Sequence, residues 1–140
     1  MKALLTSGEP LTVLVGAGIS MEPPSGLMSG EEIMEAILRF GTKEEVISEL
    51  LAIKQLRFEY LIELFRENYD SDLKLMGYYD QSTHPNLVHQ FLAQMVRQGH
   101  YVITTNFDSL LERAIGLEEK RLEVIITCQD FETFGDPKKM

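Results

Sequence analysis

The sequence predicts an α/β fold organised around a parallel sheet, and three observations carry that expectation. Short runs rich in β-branched residues and leucine stand at 11–15, 101–104 and 124–127, each the length of a buried strand. Stretches with the three-to-four residue periodicity of helices separate them. The resulting order of strand, helices, strand, helix, strand is the alternation that yields parallel strands joined by right-handed crossovers. With 140 residues, the chain has the size of one compact domain.

The first run, Leu11-Thr12-Val13-Leu14-Val15, lies between Pro10 and Gly16. Its near-continuous apolarity predicts a strand buried on both faces. Gly16-Ala17-Gly18-Ile19-Ser20 ends it, and a loop rich in Pro, Gly and Ser continues to Ser29. Ser29-Gly30-Glu31-Glu32 has capping-box spacing, followed by Ile33, Ile37 and Phe40 on one helical face until Gly41. Thr42-Lys43-Glu44-Glu45 repeats that spacing and is expected to open a longer helical region. Val46, Leu50, Ile53, Leu61 and Phe65 mark its apolar face. The pattern breaks around Asn68 to Asp72, and an ambiguous segment runs to Asp80.

Pro85 opens the next helix, with Leu87, Val88, Phe91, Leu92, Met95 and Val96 at spacings of three and four, and Gly99 closes it. Tyr101-Val102-Ile103-Thr104 reads as the second buried strand and leads into Thr105-Asn106-Phe107-Asp108. A helix over about 109–115 and a third strand, Val124-Ile125-Ile126-Thr127, complete the pattern. Three strands are few for a doubly wound sheet. Either the chain is one half of such a fold, or its missing half comes from elsewhere.

Composition narrows the function. Thirteen Lys and Arg against 22 Asp and Glu give a net charge of −9, which argues against nucleic-acid binding and against docking on anionic membranes. Any anionic ligand has to be held by local dipoles instead. The lone Cys128 can form neither an internal disulfide nor a thiolate zinc site, as expected of a cytoplasmic protein. The N-terminus lacks the apolar run of a signal peptide, and nowhere are there about 18 consecutive apolar residues.

Two segments carry chemistry. The small residues of Gly16-Ala17-Gly18-Ile19-Ser20 let the backbone turn sharply and approach a phosphate. Met21 replaces the third glycine of the dinucleotide fingerprint and no Gly-Lys-Ser/Thr follows, so an ordinary tight turn is the alternative. In Thr104-Thr105-Asn106-Phe107-Asp108, polar groups at the carboxyl end of a buried strand need partners. Ligands of parallel α/β sheets bind at such ends, which would bring Asn106 and Asp108 to the glycine loop if the strands are neighbours. Helix capping by Asp108 is the alternative. His89 lies between apolar pairs and reads as a packed, hydrogen-bonded histidine, whereas His84 and His100 read as surface or cap residues.

These segments, with Pro24-Ser25-Gly26-Leu27, Pro85-Asn86, His89-Gln90-Phe91-Leu92, Val102 to Asp108 and Leu111-Glu112-Arg113-Ala114, resemble the sirtuin superfamily in order and spacing. The resemblance spans 11 to about 131. It implies a Rossmann-like parallel sheet with a helical insertion, cut to about three strands, that binds NAD between the glycine loop and the Thr-Asn-x-Asp segment. Carried over, Gly16, Ala17, Gly18 and Ser20 line the phosphates. Asn106 sits near the nicotinamide ribose and helps place the nucleophile, and Asp108 faces the nicotinamide amide. Thr105 stands beside them where protein-deacylating sirtuins have Gln, which is similar to the sirtuin-like domains of prokaryotic defence proteins that hydrolyse NAD.

Met28-Ser29-Gly30-Glu31 stands in place of the deacylases' Pro and Asp-Phe-Arg segment, and one cysteine cannot supply their zinc module. No zinc is therefore expected, with NAD as substrate. The family's catalytic His normally follows a further strand, and none follows His100, so the chain is expected to be the N-terminal half of the domain. Three readings follow. The first is NAD hydrolysis by the parent domain. The second is NAD-dependent protein deacylation, and the third a catalytically inactive binding or oligomerisation module. A homo-oligomer or a partner chain completing the sheet is the expected assembly.

Overall fold

A computed structural model describes residues 9–116 and 129–130, and within them the protein is a mixed α/β structure with a parallel sheet of two strands. Strands β1 (Thr12–Val15) and β2 (Tyr101–Thr104) pair with Thr12 opposite Tyr101 and Val15 opposite Thr104. The register is pinned at both ends. Tyr101 N donates to Leu11 O at 2.8 Å, Thr105 N to Val15 O at 3.2 Å, and Leu11 N to His100 Nδ1 at 3.1 Å. His100 is thus a strand-end cap. The expected third strand, 124–127, lies outside the described residues.

Parallel strands require a long crossover, and here residues 16–100 provide it. After a 3₁₀ turn at Ala17–Ser20 come helices α1 (Gly30–Gly41), α2 (Glu44–Leu51) and α3 (Phe58–Asn68). A 3₁₀ helix (Lys74–Asp80) and α4 (Leu87–Arg97) complete the crossover, and α5 (Leu110–Ile115) follows β2. Ser29 caps α1 through the reciprocal pair that its spacing predicts: Glu32 N donates to Ser29 Oγ at 3.2 Å and Ser29 N to Glu32 Oε2 at 2.7 Å. Those bonds hold the exposed Glu32 carboxyl below its ordinary pKa. Asn86 caps α4 by accepting from Val88 N and His89 N.

The longer helical region expected after Thr42 is built as two helices, broken at 52–57. A straight helix over that span would run about 36 Å, far beyond α1. The break folds α2 and α3 back so that both lay their apolar stripes on α1. Thr42 forms no capping box; it is the extended residue after α1, and Lys43 holds the next N-cap without a side-chain bond. Ile47 and Leu61 are buried, while Val46 and Ile53 are exposed, so the stripe of α2 is rotated one residue from the expected face. Phe40 is also exposed, packing edge-on against Phe65 and Tyr69 at 5.7 and 5.5 Å between ring centroids.

Two apolar cores result. One joins α1–α3, the second 3₁₀ helix and Leu110; the other packs Val13, Val15 and Val102 against Leu92, Met95, Leu111 and Ile115. Arg97 ties α4 to the C-terminal end of α5 by donating to the carbonyls of Ala114 and Ile115 at 3.1 and 2.8 Å. Among the described residues, burial of the strands on both faces is not observed. Their side chains alternate, and Leu14 and Ile103 on the outer face remain 70% and 54% exposed. Among the described residues no helix is long and apolar enough to cross a membrane.

Candidate functional site

Because β1 and β2 are neighbours, the segments that leave their carboxyl ends meet. Gly16 stands against Thr105: a Cβ added to it would lie 3.5 Å from Thr105 Oγ1. The 3₁₀ turn then directs Ser20 inward, where it is 2% exposed. Ser20 Oγ becomes the hub of a four-residue network. It donates to Asp108 Oδ2 at 2.8 Å, receives from Asn106 Nδ2 at 3.1 Å, and lies 3.2 Å from His89 Nε2.

A hydroxyl has one proton and two lone pairs, so the direction of each bond follows. The proton goes to the carboxylate, and the lone pairs take Asn106 Nδ2–H and His89 Nε2–H. The second proton of Asn106 Nδ2 goes to Asp108 Oδ2 at 3.2 Å, which fixes the orientation of that amide. Asn106 N is held by Thr104 Oγ1 at 3.0 Å, and Asp108 Oδ1 accepts from Leu110 N at 3.0 Å. Asp108 therefore both caps the start of α5 and faces the site, although the residue immediately before that helix is Ser109. Asn106 Oδ1 is left buried and without a partner, as is Glu112 Oε2. Buried acceptors of this kind are uncommon and costly.

Behind Ser20 lies His89, which is wholly buried and joined to Asn86 on its other side. With its proton on Nε2, His89 Nδ1 accepts from Asn86 N at 3.3 Å; a second proton would meet Asn86 Oδ1 at 2.9 Å. Both charge states have partners, and burial decides between them. It pushes the imidazole pKa down, opposed in part by Asp108 and Glu112. Asn86 Nδ2 in turn grips the glycine loop through Ile19 O at 2.7 Å and Glu22 O at 3.1 Å. The histidine is the packed, bonded residue expected from its place among apolar neighbours.

In front of Ser20 lies an open cleft of about 470 Å³, part of it continuous with solvent. Ser20, Thr105, Asn106 and Asp108 supply its polar groups, with Ala17 beside them. Gly16 and Gly18 build the turn that carries Ala17 and Ser20 without lining the cleft themselves. Leu27, Met28, Phe58, Tyr79 and Phe107 supply its apolar lining. Burial and the nearby charges of Tyr78 and Asp108 hold the Tyr79 phenol above its ordinary pKa. Phe58 and Tyr79 sit in a helix and a 3₁₀ helix remote in sequence from both motifs, and nothing in their local pattern marks them as cleft residues. Phe107 is inside the Thr-Asn-x-Asp segment, where an exposed aromatic beside two polar side chains was the available signal. Among the described residues no cluster of three His, Cys, Asp or Glu is placed to hold a metal ion. Comparisons of the chain with protein-family models, with curated proteins and with solved structures find no match.

Proposed function

We propose that this chain is an NAD-binding domain of sirtuin-like, Rossmann-like type whose chemistry is hydrolysis of NAD to nicotinamide and ADP-ribose. One observation carries the reading: Ser20, Asn106 and Asp108 are hydrogen-bonded into one unit that lines a cleft at the carboxyl ends of adjacent parallel strands. Open α/β sheets take their ligands there. The cleft also pairs an apolar aromatic wall with a few convergent polar groups, the usual make-up of a small-molecule site.

The residues present suit that substrate. Asp108 supplies a carboxylate acceptor for an amide N–H, and Asn106 Oδ1 is a buried acceptor whose partner is missing. Ala17 and Ser20 bring the glycine turn to the cleft, where backbone dipoles can hold a diphosphate in a protein of net charge −9. In the reaction the bond from ribose carbon to nicotinamide nitrogen breaks with its electron pair on nicotinamide. A water oxygen bonds to that carbon, and the proton this water gives up passes to bulk solvent through the open cleft. Asn106 orients the water and Asp108 holds the leaving amide.

The test is nicotinamide release from NAD by the purified 140-residue chain, with Asn106→Ala beside it. Release by the parent without any acyl-lysine peptide, and its loss in the variant, is the expected result. No release by the parent overturns the hydrolase reading for this chain, and release only with an acyl-lysine peptide replaces it by deacylation.

A second reading, association of copies through the sheet, is favoured by the apolar outer face at Leu14 and Ile103. It is compatible with the first.

A further inference from the structure

Asn106, Phe107 and Asp108 are consecutive, yet they point to different halves of the molecule. Asn106 and Asp108 bond to Ser20 on the sheet side. The Phe107 ring lies against the helical layer instead, with centroids 5.7 Å from Tyr79 and 6.2 Å from Phe58. Tyr79 is buried in the helical core and Phe58 packs on that core. Three residues on, Leu110 is fully buried in the same core, and its N–H donates to Asp108 Oδ1 at 3.0 Å. The site loop is therefore anchored to the helical layer on both sides of Asp108, by an aromatic ring before it and a leucine after it.

These two anchors differ. Leu110 is sealed, whereas Phe107 is 59% exposed, with ring contacts to Phe58 and Tyr79 among the described residues. Its supports, Phe58 and Tyr79, line, together with Met28, both the cleft and a second apolar pocket walled by Ile33, Ile62 and Leu75. With a pocket on each side, this pair of rings makes fewer contacts than a close-packed core would supply, so it can shift. A ring propped on it transmits that displacement to its chain neighbours.

We propose that Phe107 is a positioning residue: propped on Phe58 and Tyr79, it sets the placement of Asn106 and Asp108 and couples it to the helical layer. This deepens the hydrolase reading, and its kinetic arm rests on that reading. The nuclear magnetic resonance arm does not.

The experiment compares Phe107→Ala, Phe107→Tyr and Phe58→Leu in the full chain. It follows the Asn106 side-chain amide signal, assigned by its absence in Asn106→Ala, and hydrogen exchange at Leu110 N–H. Phe107→Ala is expected to shift the amide signal and to speed exchange at Leu110 about tenfold, the scale of losing two aromatic contacts. Phe58→Leu moves both in the same direction from a different helix, and Phe107→Tyr, which keeps the ring, restores parent values. In nicotinamide release, Phe107→Ala lowers kcat about tenfold with KM within about twofold, as misplacement of reacting groups predicts. An unchanged Asn106 signal and unchanged Leu110 exchange in Phe107→Ala overturn the proposal. A parent chain that releases no nicotinamide removes the hydrolase reading, while the amide measurements still decide the role of Phe107.

Discussion

Ser20 and Asp108, 88 residues apart in sequence, are joined by a 2.8 Å hydrogen bond from hydroxyl to carboxylate. That bond closes the junction between the two segments leaving the parallel strands, and Asn106 and His89 complete it from either side. Removing the hydroxyl strands three groups at once. Ser20→Ala is expected to cost about 1–3 kcal/mol, the penalty of leaving buried polar atoms unpaired. Denaturant unfolding measures it. Asp108→Asn is expected to cost a comparable amount, since an amide oxygen kept on Ser20 turns the amide nitrogen against the Leu110 N–H, which now donates to Asp108 Oδ1. The double variant is less destabilised than the sum of the two, by about 0.5–3 kcal/mol of coupling. Strict additivity would mean that Ser20 and Asp108 do not share one network.

Gly18 separates fold from ligand. A Cβ added there meets nothing within 4 Å, and its φ is not in the left-handed region. Gly18→Val should therefore leave stability within about 1 kcal/mol of the parent. The turn's approach to a diphosphate is another matter: Gly18 lies outside the cleft lining, but in the proposed mode the diphosphate is held by the backbone of its turn, which a β-branched side chain crowds. Calorimetric titration with NAD is expected to show binding by the parent and none by a folded Gly18→Val chain. Equal affinity would take the phosphates away from this turn.

His89 makes stability depend on pH. Its pKa in the fold lies below the ordinary 6.5, mainly through burial, so the unfolded chain takes up the proton first. Stability is then complete above about pH 6.5 and declines as pH falls below it, by no more than about 1.4 kcal/mol per pH unit from this group. The depressed carboxyls of Glu32 and Asp70 act in the same direction only at lower pH, nearer their own unfolded values of 4.5 and 3.8. Urea midpoints between pH 7 and 5 isolate the histidine. His89→Gln is less stable throughout but should lose that slope; a slope that persists assigns it to another group.

Much of the site was legible because it depends on strand adjacency and on short-range chemistry. Two apolar runs ending in Gly16 and Thr105 had to be parallel neighbours for Asn106 and Asp108 to reach the glycine turn, and they are. The Ser29 capping box was legible for the same local reason. Tertiary packing decided what was not legible. The burial of Ile47 in place of Val46 and the break at 52–57 follow from two helices sharing α1, which periodicity within one segment does not encode. The aromatic wall of Phe58 and Tyr79 faces the cleft because the helical layer folds over it. Likewise, the runs 11–15 and 101–104 read as buried on both faces, but among the described residues only the Val13, Val15 and Val102 side is covered.

The uncovered side gives the last prediction. Leu14 and Ile103 are paired in register and both exposed, so they form one apolar stripe across the two strands. Such a stripe beside strand edges invites pairing with another chain. If copies associate there, molar mass by light scattering rises with concentration in the parent. Leu14→Glu should abolish the rise by placing one carboxylate on the stripe of each copy, at a cost in burying charge that association cannot offset. Because Leu14 is 70% exposed in the isolated chain, the same substitution should change the unfolding free energy by only about 0.5 kcal/mol. A monomeric parent at all concentrations would instead leave the stripe as plain surface. A variant that loses several kcal/mol would show that the side chain is buried within the chain itself.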